Sequence, residues 1–320
     1  MNSWSIAQAN LTSVGVLTFI FGFLAARIKS DVRVPEAIYQ FLSIYLLFGI
    51  GLKGGHSLKS SSLSELAVPA LTTIACGILI PALAFYTLKL IKVLNDVDRG
   101  SIAAHYGSTS LVTFSAGLLF LESNNIFVEG FAPALLTLLE IPGLIVGIFL
   151  ASRSLTSKVS WAMTLKEVLL GKTVLLLAGG LVIGVITTNE GYTKVSPFFV
   201  ELLNGLLVLF LLHLGYMAGS NFSEITKVGA PLAAFGILFP VISGLIGVTA
   251  GSLIGLSVGG ATMLGILSAS ASYIAAPAAV TVALPTASPT LALMSSIGIT
   301  FPFNLIVGIP IYFRIAELLG

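Results

Sequence analysis

The chain has 320 residues, of which 56% are apolar and only 9% are Asp, Glu, Lys or Arg, with a net charge of +2 and a mean hydropathy of +1.05. Soluble domains carry roughly 25% charged residues, so a water-soluble globule is excluded, and 15 scattered Lys and Arg with no basic stripe give no footing for nucleic-acid binding. The one cysteine, Cys76, lies in an apolar run, which rules out an intramolecular disulfide and a cysteine metal cluster.

Met1 to Asn10 contains no basic residue and no small-residue cleavage site follows in reach, so residues 11–28 read as a first membrane span and not as a removed leader. Further apolar segments of spanning length fall at 36–54, 66–92, 101–121 and 128–151. The longest polar stretch comes next, with Arg153, Lys158, Lys166 and Lys172. Five more apolar segments fall at 172–189, 197–218, 229–254, 257–284 and 289–316. The reading is an all-α membrane protein of about ten transmembrane helices. It divides into a five-helix unit at 1–152, a short linker at 153–171 and a second five-helix unit at 172–320.

Eleven of the 15 Lys and Arg fall in loops on one side of this arrangement and four on the other. The positive-inside rule then places the linker in the cytoplasm and both termini outside. The halves also match in order: GLKGG at Gly51 to Gly55 answers GYMAG at Gly215 to Gly219, GILIP at Gly77 answers GILFP at Gly236, and LIVGI at Leu144 recurs at Leu305. Because five spans is an odd number, a second copy enters the bilayer with opposite orientation. Such inverted repeats hold their site near the midplane, where helices are broken.

The densest hydroxyl cluster of the first half is Gly107, Ser108, Thr109 and Ser110, with Thr113 a turn later. Its counterpart is Ser268, Ala269, Ser270, Ala271 and Ser272. Interrupted crossing helices in spans 4 and 9 would aim helix N-termini and hydroxyl donors at a small anion, while freed carbonyls hold a cation. Close helix packing by small residues is the competing reading. Glu140 falls mid-span, where a bare carboxylate is costly, so it is expected to be paired, protonated or on an ion. Asn304 lies on a comparable face of the related helix, with a helix-to-helix hydrogen bond as its alternative role. Glu122, at the end of span 4, serves either the site or an interface. His56, His105 and His213 are far apart and no spacing fits a transition-metal or haem site, so sodium is the only metal expected and no cofactor is. Neither a phosphate-binding loop nor a nucleophile elbow is present, which points away from an ATP-driven pump and from an enzyme.

Several stretches resemble the sodium-dependent bicarbonate transporters first recognised in cyanobacteria: VPEAI at Val34, IGLKGG at Ile50, Gly107-Ser108-Thr109, Leu121-Glu122, Glu140-Ile141-Pro142 and PTASP at Pro285. The resemblance runs over nearly the whole chain. It implies a trimeric symporter of the bacterial inner membrane that couples sodium entry to bicarbonate uptake, with both ligands between the crossing regions of spans 4 and 9. A PII-like regulatory protein on the cytoplasmic face is implied as a further partner. The sequence departs from the family pattern at Tyr273, where the pattern has an aspartate, and in its shorter linker. Another small anion, such as a short carboxylate, is therefore the alternative cargo, and a passive channel or membrane sensor is the alternative class.

Overall fold

The computed structural model describes residues 8–59, 62–155, 159–227 and 229–320. The stretch Met1 to Ala7 and the linker cation Lys158 lie outside the described residues. Within them every regular element is a helix, as the apolar runs require when no water is available to backbone groups. In chain order these are α1 (Val14–Arg27), α2 (Glu36–Leu58), α3 (Leu63–Leu88), α4 (Asp96–Gly107), α5 (Leu111–Ser123), α6 (Ala132–Ser152) and α7 (Trp161–Leu170). They continue as α8 (Lys172–Ile186), α9 (Asn189–Ser220), α10 (Phe222–Lys227), α11 (Ala230–Leu253), α12 (Val258–Ala269), α13 (Ala275–Ala283) and α14 (Pro289–Leu319).

Six of these helices are long and apolar enough to cross a membrane, namely α2, α3, α6, α9, α11 and α14, and the pair α7 and α8, bent by 49°, adds a seventh. The chain is thus a multi-pass membrane protein. The apolar segments expected at 101–121 and 257–284 are each divided into two shorter helices, α4 with α5 and α12 with α13. The stretch 153–171, expected as a plain linker, contains α7. Trp161 of α7 packs against Phe149 at 6.3 Å, and Thr164 and Val168 are buried, so an apolar face secures this segment despite its cations.

The helices pack in two groups. In the first, α1 lies along α9 and α2 along α8, each pair joined by a seam of glycines. Phe19 meets Gly215 and Phe23 meets Gly219, so α1 and α9 run parallel. Gly51 meets Leu177 and Gly55 meets Leu181, so α2 and α8 also run parallel. A Cβ on Gly51 would stand 2.6 Å from the Leu177 carbonyl oxygen, which leaves room only for glycine at this approach. Tyr39 stacks on His213 while Tyr45 packs on Phe198 and Phe199, so α2 and α9 run antiparallel. The second group gathers α3 to α6 with α11 to α14, and the broken helices lie at its centre.

Prolines interrupt the long helices, and side chains from other segments take up the carbonyls they free. Pro240 in α11 leaves the Gly236 carbonyl without its helical donor, and Thr300 Oγ1 donates to it at 2.7 Å. Tyr106 hydroxyl in turn lies 2.6 Å from Thr300 Oγ1. In α14, with π-helical turns at Met294–Thr300 and Asn304–Gly308, Pro310 cannot donate to the preceding turn. Asn10 Nδ2 donates instead to the Leu305 and Ile306 carbonyls, at 3.0 and 2.9 Å.

Candidate functional site

The hydroxyl clusters lie where α4 gives way to α5 and α12 to α13. Helix α4 ends at Gly107, which is pressed against Pro81 and the backbone of Gly143, a contact that admits no side chain. Ser108 and Ser110 are extended, and Ser110 Oγ accepts from the Thr113 amide at 3.2 Å, which starts α5 in a new direction. Ser272 Oγ, three residues before α13, accepts from the Ala276 amide in its first turn at 3.2 Å.

The two breaks meet. Ser270 Oγ donates to the Leu267 carbonyl at 2.8 Å and accepts from the Thr109 hydroxyl at 3.0 Å and the Ser110 amide at 3.1 Å. The Ser272 amide donates to the His105 carbonyl at 2.8 Å. At the C-terminal end of α12, Asn304 Nδ2 donates to the Ala269 carbonyl at 2.8 Å, and Asn304 Oδ1 accepts from the Tyr312 hydroxyl at 2.8 Å. Asn304 therefore secures the freed end of one broken helix. Ala269 and Ala271 are buried beside these contacts.

Glu140 of α6 occupies the related place at the end of α4, facing the Ser108 hydroxyl and the Thr109 amide. It is 1% exposed, and neither carboxylate oxygen has a hydrogen-bond partner among the described residues. The Ser108 and Ser268 hydroxyls are likewise buried without partners among them. An uncompensated buried carboxylate costs several kcal/mol, so this group requires a proton or a cation.

A small pocket joins these elements, lined chiefly by Thr109, Ser110, Glu140, Thr173, Ser272 and Tyr273. Its volume of about 10 Å³ is at the lower limit for one water molecule, too small for a polyatomic anion. A wider cavity of about 310 Å³ shares Thr173, Tyr273 and Ile274 with it, and reaches Lys172, whose Nζ donates to Gln40 Oε1 at 2.8 Å. The pocket therefore has a vestibule on one side, at the contact between the two helix groups.

Of the residues singled out in the sequence, Thr109, Ser110, Ser272 and Glu140 line the pocket, and Ser270 holds its floor together. Thr113 is buried in the first turn of α5, outside the lining. Glu122 stands apart, paired with Lys53 at 2.7 Å. Thr173 was missed, because a hydroxyl directly after Lys172 at the head of an apolar run reads as a span boundary. Tyr273 was visible only as a departure from a family pattern.

No curated protein matches the chain closely enough to count as a relative. The model of one family, described as the Na+-dependent bicarbonate transporter superfamily, matches residues 15–317. With nearly all of its length matched, and a buried polar pocket where two broken helices meet, the chain belongs to the Na+-dependent bicarbonate transporter superfamily.

Proposed function

We propose that the chain imports bicarbonate coupled to sodium entry, by alternating access around the pocket between the two helix breaks. The observation that carries this reading is Glu140: a buried carboxylate with no protein partner among the described residues, beside unpaired hydroxyls and the amide-rich start of α5. A sodium ion there compensates the carboxylate, and the hydroxyls and helix N-termini offer donors to a monoanion. The vestibule lining holds one fixed charge of each sign, Lys172 and Glu167. Because the pocket is too small for the anion as it stands, occupancy requires the elements around it to move apart, and separation at Thr173 opens the pocket to the vestibule for release.

We further propose ten spans in two oppositely oriented halves, with α4–α5 and α12–α13 as broken spans. The directions of the helices support this reading. α8, which opens the second half, runs parallel to α2, while α1, which opens the first, runs antiparallel to α2 through its parallel partner α9. The excess of Lys and Arg then assigns the vestibule end, with Gln40 and Lys172, to the cytoplasm.

In proteoliposomes, uptake of labelled bicarbonate is expected to require an inward sodium gradient and to accumulate the anion against its own gradient. Uptake indifferent to sodium would reject the coupling. The second reading, another small anion on the same fold, is favoured by the neutral Tyr273 in the lining, and tighter competition by a short carboxylate than by bicarbonate would establish it.

A further inference from the structure

Tyr273 has a hydroxyl that nothing so far explains. The residue is 7% exposed, and its phenolic oxygen, although it points toward the Ser110 side chain, makes no hydrogen bond of normal geometry among the described residues. Its ring packs edge-on against Phe301, with centroids 5.6 Å apart at 69°. Phenylalanine would keep that contact and avoid the desolvation of an unpaired polar group. Packing therefore accounts for the ring and leaves the oxygen unexplained.

The position of the residue supplies the explanation. Tyr273 lines both the small pocket and the 310 Å³ vestibule, and its hydroxyl faces Ser110, the residue that caps α5. A ligand moving between pocket and vestibule passes this residue. The acidic group in the pocket lining is Glu140, which repels an anion unless a cation sits between them. A neutral O–H in the same lining is the kind of donor that a small oxyanion can use without a second fixed charge.

We infer that Tyr273 is a specificity-determining residue of the pocket, donating its phenolic hydrogen to an oxygen of the bound small oxyanion. This rests on the reading of the pocket as an anion site. It is independent of which anion is carried.

The test is titration calorimetry on the purified full-length protein in sodium buffer, with bicarbonate, formate, acetate and nitrate, comparing wild type with Tyr273→Phe. Thermal unfolding of both is measured without anion. The substitution is expected to weaken the tightest-binding oxyanion roughly 10- to 150-fold, the usual cost of losing one hydrogen bond to a charged group. Without anion, Tyr273→Phe is expected to unfold at the same temperature as wild type or higher, because an unpaired buried hydroxyl has been removed. Equal affinity in the two proteins would overturn the inference. So would a lower unfolding temperature without anion, which would make the hydroxyl structural. If wild type binds another oxyanion more tightly than bicarbonate, the choice of bicarbonate falls while the comparison on Tyr273 still decides; if wild type binds none of the four, both fall.

Discussion

The Thr109 and Ser270 hydroxyls hydrogen-bond at 3.0 Å across 161 residues of chain, the same interval that separates the two LIVGI segments at Leu144 and Leu305. On the proposed two-repeat reading these are equivalent positions, and the contact lies at the axis that relates the repeats. Substituting Ser270→Ala also strips the Ser110 amide of its acceptor, and a buried donor left alone costs about 1–3 kcal/mol. A double-mutant cycle of Thr109→Ala and Ser270→Ala, followed by thermal unfolding, is expected to be non-additive, with a coupling of roughly 0.5–3 kcal/mol. Additive effects would show that the two side chains act independently.

Glu140→Gln keeps the shape of the side chain and removes its charge. A ligand at a hundredfold its Kd stabilises a protein by about 2.7 kcal/mol, so sodium is expected to raise the unfolding temperature of wild type and leave that of Glu140→Gln unchanged. An equal sodium shift in both would place the cation elsewhere.

Gly143→Ala is expected to destabilise strongly, because a Cβ there would fall on the Gly107 carbonyl where α4 ends. Overpacking of this kind costs about 1–3 kcal/mol or more. By contrast, Gly205→Ala, with open space around the added carbon, is expected to be neutral. Size-exclusion yield and unfolding temperature of the two variants provide the comparison.

Lys53 of α2 and Glu122 of α5 form an ion pair at 2.7 Å that crosses from one helix group to the other. Both side chains are partly exposed, at 31% and 40%, so the pair contributes only about 0–1 kcal/mol to stability. A double-mutant cycle of Lys53→Ala and Glu122→Ala, followed by thermal unfolding, is expected to give a coupling of about 1 kcal/mol or less. A clearly larger coupling would show that the pair is more desolvated than its exposure implies.

Much of the centre was legible in the sequence, because interruptions of a membrane helix require residues that satisfy backbone groups, and Ser, Thr and Gly cluster visibly at 107–110 and 268–272. Glu140 stood out for the same physical reason, an ionisable group inside an apolar run. Glycines 51, 55, 215 and 219 stood out as matching positions of the two halves, but their partners did not: Gly55 meets Leu181 and Gly215 meets Phe19, contacts between helices far apart in sequence. The helix Trp161–Leu170 was hidden by its charged pair Lys166 and Glu167 and by the cations around it, although Lys166 lies on the face opposite the buried Thr164 and Val168. The carbonyl acceptors of Thr300 and Asn10 were illegible, because a proline announces which carbonyl it frees and not which distant side chain arrives.

Asn10 also bears on how the molecule can move. It stands at the head of α1, in the first helix group, yet its amide grips two carbonyls of α14 in the second. Gln40 and Lys53 are 13 residues apart on α2, about 20 Å along its axis, and Asn10 shares the flank of Ser123 and Asn124, next to Glu122. The grip is thus at the rim away from the vestibule. A body held at one rim and loose at the other swings instead of sliding, so displacements should grow steadily from Asn10 toward Gln40, and spin labels placed at the two ends would record unequal travel.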